Sequence, residues 1–359
     1  MKHSVKGICA LLALLLTVGL AGCGEQTESA RTIAVVTDGG SLQDGSYNQA
    51  VYEGVQAWCE EAGYEVACYV PEGTATEDLY NSMDQAYEDG VRVLVVAGSS
   101  FEQPVYEMQS AHSSLQILLL DGEPHDIDYN YETAENVHCV LFQEEQAGFL
   151  AGYVAVAEGY RRLGFVGGVQ LTGVIQYLYG FLQGADQAAY ELRLEEGDVT
   201  VRYTYSDTFD ASDSLESTCE KWYGKGVGVI FSACGDGVEN VLSAAAASDK
   251  KVILSDFSRQ GDQVFISAVK RFDTAIALAL DSLEKNDWEW GTAAAGQTTT
   301  VGLAEGCVGL DVTEEDWPFT GMSYDDYALL VQDIIDGYIV ISDSISEVPT
   351  LRVVSANKS

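Results

Sequence analysis

The stretch VRVLVVAGSSFEQPVYEMQSAHSSLQILLLD, residues 91–121, decides the fold. It opens on an apolar, β-branched run from Val91 to Ala97, passes into a helical period from Gln103 to Ser113, and returns to an apolar run, Gln116 to Leu120, that closes on Asp121. Strands apolar on nearly every residue are buried on both faces, and a helix between two of them is the connection that parallel pairing needs. The same rhythm runs outward on both sides. Upstream lie strand Thr32 to Thr37, helix Asn48 to Ala62, strand Tyr64 to Val70 and helix Ala75 to Asp89, and downstream strand Val137 to Phe142. Then the series begins again, with helices at Gln143 to Glu158, Ile175 to Tyr190, Asp213 to Tyr223 and Val238 to Ser248. Strands alternate with them at Arg162 to Val166, Thr200 to Tyr205, Gly228 to Ser232 and Lys251 to Leu254. Two α/β halves in tandem predict two Rossmann-like lobes, each a parallel sheet flanked by helices. After a strand at Val264 to Ala268 and a helix at Phe272 to Lys285 the pattern loosens, with a helix at Ser323 to Asp336 and a closing strand near Tyr338 to Ser342.

The first residues read differently. Lys2 and Lys6 precede an apolar stretch from Ile8 to Leu20 and then Leu20-Ala21-Gly22-Cys23. A positive start, a short apolar core and small residues at the end make a signal peptide over residues 1–22, too short to span a bilayer comfortably. Leu-Ala-Gly-Cys also has the form of a bacterial lipobox, in which Cys23 is acylated and residues 23–31 form a polar tether. Two acyl chains on one residue anchor a protein stably where one does not. An ordinary secretory signal with an incidental cysteine is the plainer alternative. No second apolar run is long enough to cross a membrane.

The net charge of −38 grows more negative once a segment holding Lys2, Lys6 and no acid is removed. Such a surface repels phosphate backbones and anionic headgroups, so no nucleic-acid partner is expected. Beyond Cys9 and Cys23 the chain holds Cys59, Cys68, Cys139, Cys219, Cys234 and Cys307, with no C-x-x-C pair and no histidine at ligand spacing. No metal site and no cofactor is expected. Cys59 and Cys68 lie close enough in sequence to bridge a helix to the next strand; buried free thiols are the alternative.

Three strands end in aspartate: Asp38, Asp121 and Asp256. In open parallel sheets the ligand crevice lies outside the carboxyl ends of the strands. Acceptor-only side chains arriving there suit a solute rich in hydroxyl or amine donors, such as a sugar or nucleoside. An aspartate in such a place also caps the next helix or starts a turn. Around the first of them, Asp38-Gly39-Gly40 lets backbone approach a ligand, Tyr47 offers a stacking face, and Asn48 both donates and accepts at a helix start. In the second half Gly235-Asp236-Gly237 follows a strand and opens a helix. There is no G-x-G-x-x-G, no G-x-S-x-G and no H-E-x-x-H, and no nucleophile set stands out, so an enzyme is not the expectation.

Five blocks together resemble one family: VTDGGSLQDGSYNQAVYEG (36–54), ENVHCVLFQEEQAGFLAGY (135–153), LGFVGG (163–168), YGFLQG (179–184) and SAVKRFDTA (267–275). They are similar to the basic membrane protein family, substrate-binding lipoproteins of ABC importers that include purine-nucleoside receptors, over about residues 31–342. The resemblance implies a type I periplasmic-binding fold with lobes joined by crossing hinge strands. The expected first lobe is 32–142 plus about 260–290; the second is 143–259 plus about 291–359. It also implies a small solute, most simply a purine nucleoside, captured between the lobes, with ABC permease subunits as partners and a lipid anchor on the extracytoplasmic face of the cell membrane. Carried over, the ligand-binding residues are Asp38, Tyr47, Asn48 and Asp121 from the first lobe. Phe231, Gly235, Asp256 and Lys270 follow from the second lobe and its hinge, with Phe231 as a stacking platform. Two departures stand out: Tyr47 replaces the family's usual phenylalanine, and Ser255-Asp256-Phe257-Ser258-Arg259-Gln260 replaces G-x-D-x-D-Q. A ligand-sensing lipoprotein of the same fold, or a secreted nucleoside-acting enzyme, are the competing classes.

Overall fold

The computed structural model describes residues 33–40, 42 and 47–359. The expected signal peptide (1–22), the Cys23 anchor and the tether (23–31) lie outside the described residues. In chain order the first half holds β1 (Ile33–Val36), α1 (Tyr47–Ala62), β2 (Val66–Tyr69), α2 (Thr76–Glu88), β3 (Val93–Ala97), α3 (Glu102–Ala111), β4 (Gln116–Leu120) and β5 (Val137–Phe142). The second half follows with α4 (Glu144–Ala157), β6 (Arg162–Gly167), α5 (Thr172–Glu191), β7 (Thr200–Tyr205), α6 (Asp213–Gly224), β8 (Val229–Ala233), α7 (Val238–Ser248), β9 (Lys251–Asp256) and β10 (Val264–Lys270). Then come α8 (Phe272–Lys285), β11 (Gln297–Val301), β12 (Val308–Leu310), α9 (Tyr324–Ile335) and β13 (Ser355–Lys358).

These strands form two sheets, ordered β11-β5-β4-β3-β1-β2 and β12-β10-β9-β8-β6-β7-β13. Within them the order β2-β1-β3-β4-β5 is repeated as β7-β6-β8-β9-β10, so the two halves are topological copies. Among the described residues the named strands all pair in parallel except β10 with β12. The alternation of side chains along each strand divides the core between faces. Ile33 and Val35 of β1 face α1 and α8, whereas Ala34 and Val36 face α2 and α3. In the second sheet Leu163 and Phe165 face α4 and α5, while Val166, Ile230, Val252 and Leu254 meet α6 and α7.

The chain passes between sheets three times: from β5 to α4 through Gln143, from β10 to α8 through Arg271, and from β11 to β12 through residues 302–307. Two features of this routing correct the expected boundaries. Strand β10, expected in the first lobe, pairs with β9 in the second sheet, and β11, expected in the second, pairs with β5 in the first. The first shift follows from the duplication, since β10 must occupy the place in the second sheet that β5 holds in the first. The closing strand expected near Tyr338 to Ser342 is not formed. The edge of β7 is taken instead by Ser355–Lys358.

Helices α4 and α5 cross with backbones in contact. Gly148 and Gly152 on α4 lie against Tyr177 and Phe181, while Gly180 and Gly184 on α5 lie against Glu145 and Phe149. A methyl group on any of the four would fall under 3.0 Å from backbone atoms of the opposite helix. Small-xxx-small spacing on both helices permits this approach. Glu144, the first residue of α4, is almost fully buried.

Candidate functional site

The carboxyl ends of both sheets carry the residues of interest. Asp121, one residue past β4, and Asp256, the last of β9, occupy equivalent places in the two halves, and both adopt left-handed backbone, φ 59° and 64°. Aspartate tolerates that region better than most non-glycine residues, and held strain of this kind clusters at functional sites. The bend turns each carboxylate away from its strand and toward one cation. Lys270, the last residue of β10, places Nζ 2.9 Å from Asp121 Oδ2, 2.7 Å from Glu144 Oε1 and 3.5 Å from Asp256 Oδ1. It also donates to the Tyr47 hydroxyl at 3.0 Å. Tyr47 in turn donates to Asp121 (2.7 Å), and Tyr177 on α5 donates to Asp256 (3.1 Å). Ser255 Oγ donates to the other oxygen of Asp256 at 2.6 Å.

The cluster joins both lobes, because Tyr47 and Asp121 belong to the first sheet's side and Asp256, Tyr177 and Lys270 to the second. Lys270 and Glu144 are almost fully buried, whereas the side chains of Asp121 and Asp256 remain 20% and 18% exposed. One ammonium thus faces three carboxyl groups in little water, and their proton affinities separate. Burial pushes the Lys270 ammonium down, but the surrounding carboxylates, Asp121 first, raise it well above the usual lysine range. For Asp121, burial raises and the Lys270 charge lowers; with hydrogen bonds from Lys270, Tyr47 and Glu144, the net is a lowered value. Glu144 is the group that yields: burial, opposed by Lys270 and reinforced by Asp121, pushes it up to about 8.

Asp38 and Asn48 form a reciprocal pair beside this cluster. Asn48 Nδ2 donates to Asp38 Oδ1 (2.7 Å), and the Asp38 amide donates to Asn48 Oδ1 (3.1 Å), fixing the loop after β1 to the first turn of α1. Tyr47, the neighbour of Asn48, is enclosed edge-on by Phe257 (5.3 Å) and Phe272 (5.0 Å). Gly235, at the end of β8, has φ 56° and is exposed; a methyl there would stand 2.9 Å from Phe209 Cβ. The ring of Phe209 rests on Gly168, at the end of β6, and is 36% exposed.

Seven of the eight expected residues therefore lie at the carboxyl ends of the strands or the helix starts beside them. Phe231 is the correction. It is 0% exposed, packed between Phe165, Tyr177 and Phe181 at 5.3–5.5 Å, and offers no stacking platform. On the central strand β8 its parity points it at α4 and α5, so it buttresses Tyr177 rather than reaching the crevice. A second-lobe ring that does stand exposed beside the strand ends is Phe209, in the loop after β7. Glu144, Tyr177, Phe209 and Phe257 were not singled out from the sequence. Two acids opening a helix read as ordinary N-terminal preference, and Tyr177 as core. The sequence signal for Phe209 is a phenylalanine set in the polar run Ser206 to Ser212 just past a strand. All six cysteines of the body are free thiols, five of them buried.

A duplicated α/β fold whose halves exchange strands at three crossings, with polar groups of both halves meeting at the crevice, defines a two-lobed solute-binding protein of the type I periplasmic-binding class. Residues 31–344 match the Bmp family, described as ABC transporter substrate-binding protein PnrA-like, and the chain belongs to that family. It is similar to basic membrane protein D of Borreliella burgdorferi, 25% identical over 94% of this chain and 95% of that protein. It is likewise similar to the ABC transporter nucleoside-binding protein BmpA of Lactococcus lactis, 24% identical over 95% of this chain and 99% of that protein. Among solved structures it resembles an ABC transporter solute-binding protein from Aeropyrum pernix, TM-score 0.69 and 22% identity over 88% and 94% of the two chains. The protein is thus a substrate-binding component of an ABC import system. Among the described residues no helix is long and apolar enough to cross a membrane.

Proposed function

We propose that this chain captures a nucleoside, most simply a purine nucleoside, between its lobes, and that acylation of Cys23 holds it on the extracytoplasmic face for delivery to the permease. The observation that carries the reading is the meeting of Asp121 and Asp256, from equivalent strand ends of the two lobes, at the single ammonium of Lys270. Paired carboxylates suit the donor hydroxyls of a ribose and the donor edge of a base. Tyr47 beside the first sheet, and Phe257 and Phe209 after strands of the second, are the aromatic rings available to a base. The nucleoside-binding relative supports the same class. Closure about the crossings would present the loaded form to the permease. The role is binding without turnover, so incubation with nucleosides should release no free base.

A thermal-shift screen over nucleosides, bases and sugars tests the reading, because a solute that binds only the folded state raises its melting point. Nucleosides should shift it. The Asp256→Ala variant should lose roughly tenfold to a hundredfold in affinity, about 1–3 kcal/mol for an unpaired buried ligand hydroxyl. A protein stabilised by a sugar or amino acid and by no nucleoside would overturn the assignment, and undiminished affinity in Asp256→Ala would remove that residue from the site.

A further inference from the structure

The two chain crossings at Gln143 and Arg271 are equivalent by the duplication, yet their contents differ. Phe142, ending β5, meets Phe272, opening α8, with ring centroids 5.1 Å apart. At the mirrored position Lys270, ending β10, meets Glu144, opening α4, at 2.7 Å. One crossing contact is apolar and its counterpart is an ionisable pair linked directly to Asp121. An ammonium has three N–H donors, and around Lys270 stand four oxygens within 3.5 Å: Tyr47, Asp121, Glu144 and Asp256. A solute that takes a hydrogen bond from Lys270 must displace one of them.

From this geometry, and resting on the small-solute reading of the cleft, we infer that Glu144 is a positioning residue whose carboxyl takes up a proton when the solute is captured. Protonated, Glu144 donates to Asp121 and makes a weaker claim on Lys270, freeing a donor for the solute. Ionised, it competes with the solute for the ammonium and adds a second buried negative charge beside Asp121. The proton comes from solvent. The charged and titratable groups around it are Lys270 on β10, Asp121 after β4, Asp256 ending β9, Tyr177 on α5 and Tyr47 on α1. Arg271, on the crossing itself, is directed to the Leu310 carbonyl.

The sign follows from burial. Glu144 sits at about 8, held up first by burial. A solute covering the exposed parts of Asp121 and Asp256 removes water from the cluster, disfavours a second anion and raises the value further. Binding is then tighter where Glu144 holds its proton, and affinity falls as pH rises through 8 and above. A rise of one unit on binding corresponds to roughly tenfold in affinity across that window.

The test uses adenosine, which does not titrate near neutrality, in calorimetry at about pH 6.5 and about pH 9.5 with buffers of different ionisation enthalpy. The parent protein should take up a fraction of a proton near pH 8 and bind roughly tenfold more weakly at the higher pH. Glu144→Gln, which mimics the protonated acid, should show no uptake and no slope. Carboxyl carbon resonances of the protein alone give a second readout that needs no ligand: two glutamates should titrate far above the usual range, Glu145 near 7 and Glu144 near 8, and only the one near 8 should vanish in Glu144→Gln. Proton-independent binding by the parent, an unchanged slope in the variant, or the absence of a glutamate near 8 that Glu144→Gln removes would each overturn the inference. Failure of adenosine to bind at any pH would overturn the nucleoside reading instead, while the carboxyl titration still decides on Glu144.

Discussion

Replacing Gly184 by alanine sets two effects of opposite sign against each other. Glycine inside a helix is worth about 1 kcal/mol less than alanine, so propensity alone makes the variant more stable. The structure says the reverse. A methyl on Gly184 would stand 2.6 Å from the carbonyl carbon and 2.8 Å from Cα of Phe149, and closer still to its oxygen, where ordinary contact begins at 3.4 Å. The obstructing atoms are backbone of α4, a helix buried along most of its length, so no side chain can swing aside. The two helices must part by roughly 1 Å, loosening Phe149, Tyr177 and Phe181 together. Overpacking usually costs about 1–3 kcal/mol and occasionally more; with backbone as the obstacle the upper end applies. Net of the propensity gain, we expect a loss of about 2 kcal/mol or more, read as a lower midpoint in urea unfolding followed by circular dichroism. Gly224, the last residue of α6, has nothing within 4 Å of its missing methyl and supplies the control, which should hold or gain stability. If Gly184→Ala behaves like Gly224→Ala, the close crossing of α4 and α5 is wrong.

Lys270→Met leaves Asp121, Glu144 and Asp256 facing one another without a cation. It should cost about 3–5 kcal/mol near pH 7.5 and markedly less near pH 5, where the clustered acids regain protons; a penalty independent of pH would contradict the cluster. Phe231→Ala should lower stability by about 3–5 kcal/mol, whereas Phe209→Ala should leave stability within about 0.5 kcal/mol while weakening nucleoside binding roughly tenfold. Equal effects of the two on binding would refute the assignment of Phe209 as the cleft ring. Asp186 accepts the backbone amides of Arg352, Val353 and Val354, and although burial raises its carboxyl, these bonds and Arg352 bring it below the usual range. Its contribution is therefore complete above the unfolded carboxylate value of about 4 and is lost as pH falls through the lower folded value. Hydrogen exchange should show residues 352–358 losing protection first on acidification, and Asp186→Asn should show that loss already at neutral pH.

The strands that proved legible in the sequence are the buried ones. Runs such as VLVVA and QILLL carry their own signal, because a strand covered on both faces must be apolar throughout. Strands β11 (QTTTV) and β12 (VGL) were missed for the complementary reason. Most of β11 is exposed at a sheet edge and β12 is three residues long, so neither has a periodicity to read. The segment from Tyr338 to Ser342 carries β-forming residues, yet Tyr338 and Val340 are 80% and 84% exposed and the segment joins neither sheet. The site divides in the same way. Asp121 and Asp256 were visible because the ends of apolar strands are visible. The partnership of Lys270 with Glu144 was not, since it joins residues from two crossings and exists only once the sheets are assembled. Phe231 misled because its character suits a platform while its strand parity, a tertiary fact, turns it inward.

The far-downstream partner of β5 has a consequence for how the molecule is made. His138 of β5 waits for Gln297 of β11, so one edge of the earlier sheet stays open while more than a hundred residues are still being synthesised. The later sheet is bordered only when Ser355 reaches Thr200. Open edges of this length are templates for intermolecular pairing, and distant pairings form slowly. A product shortened by some sixty residues would therefore be no smaller version of the protein. It would expose unpaired backbone at the margin of each lobe and should be recovered as aggregate.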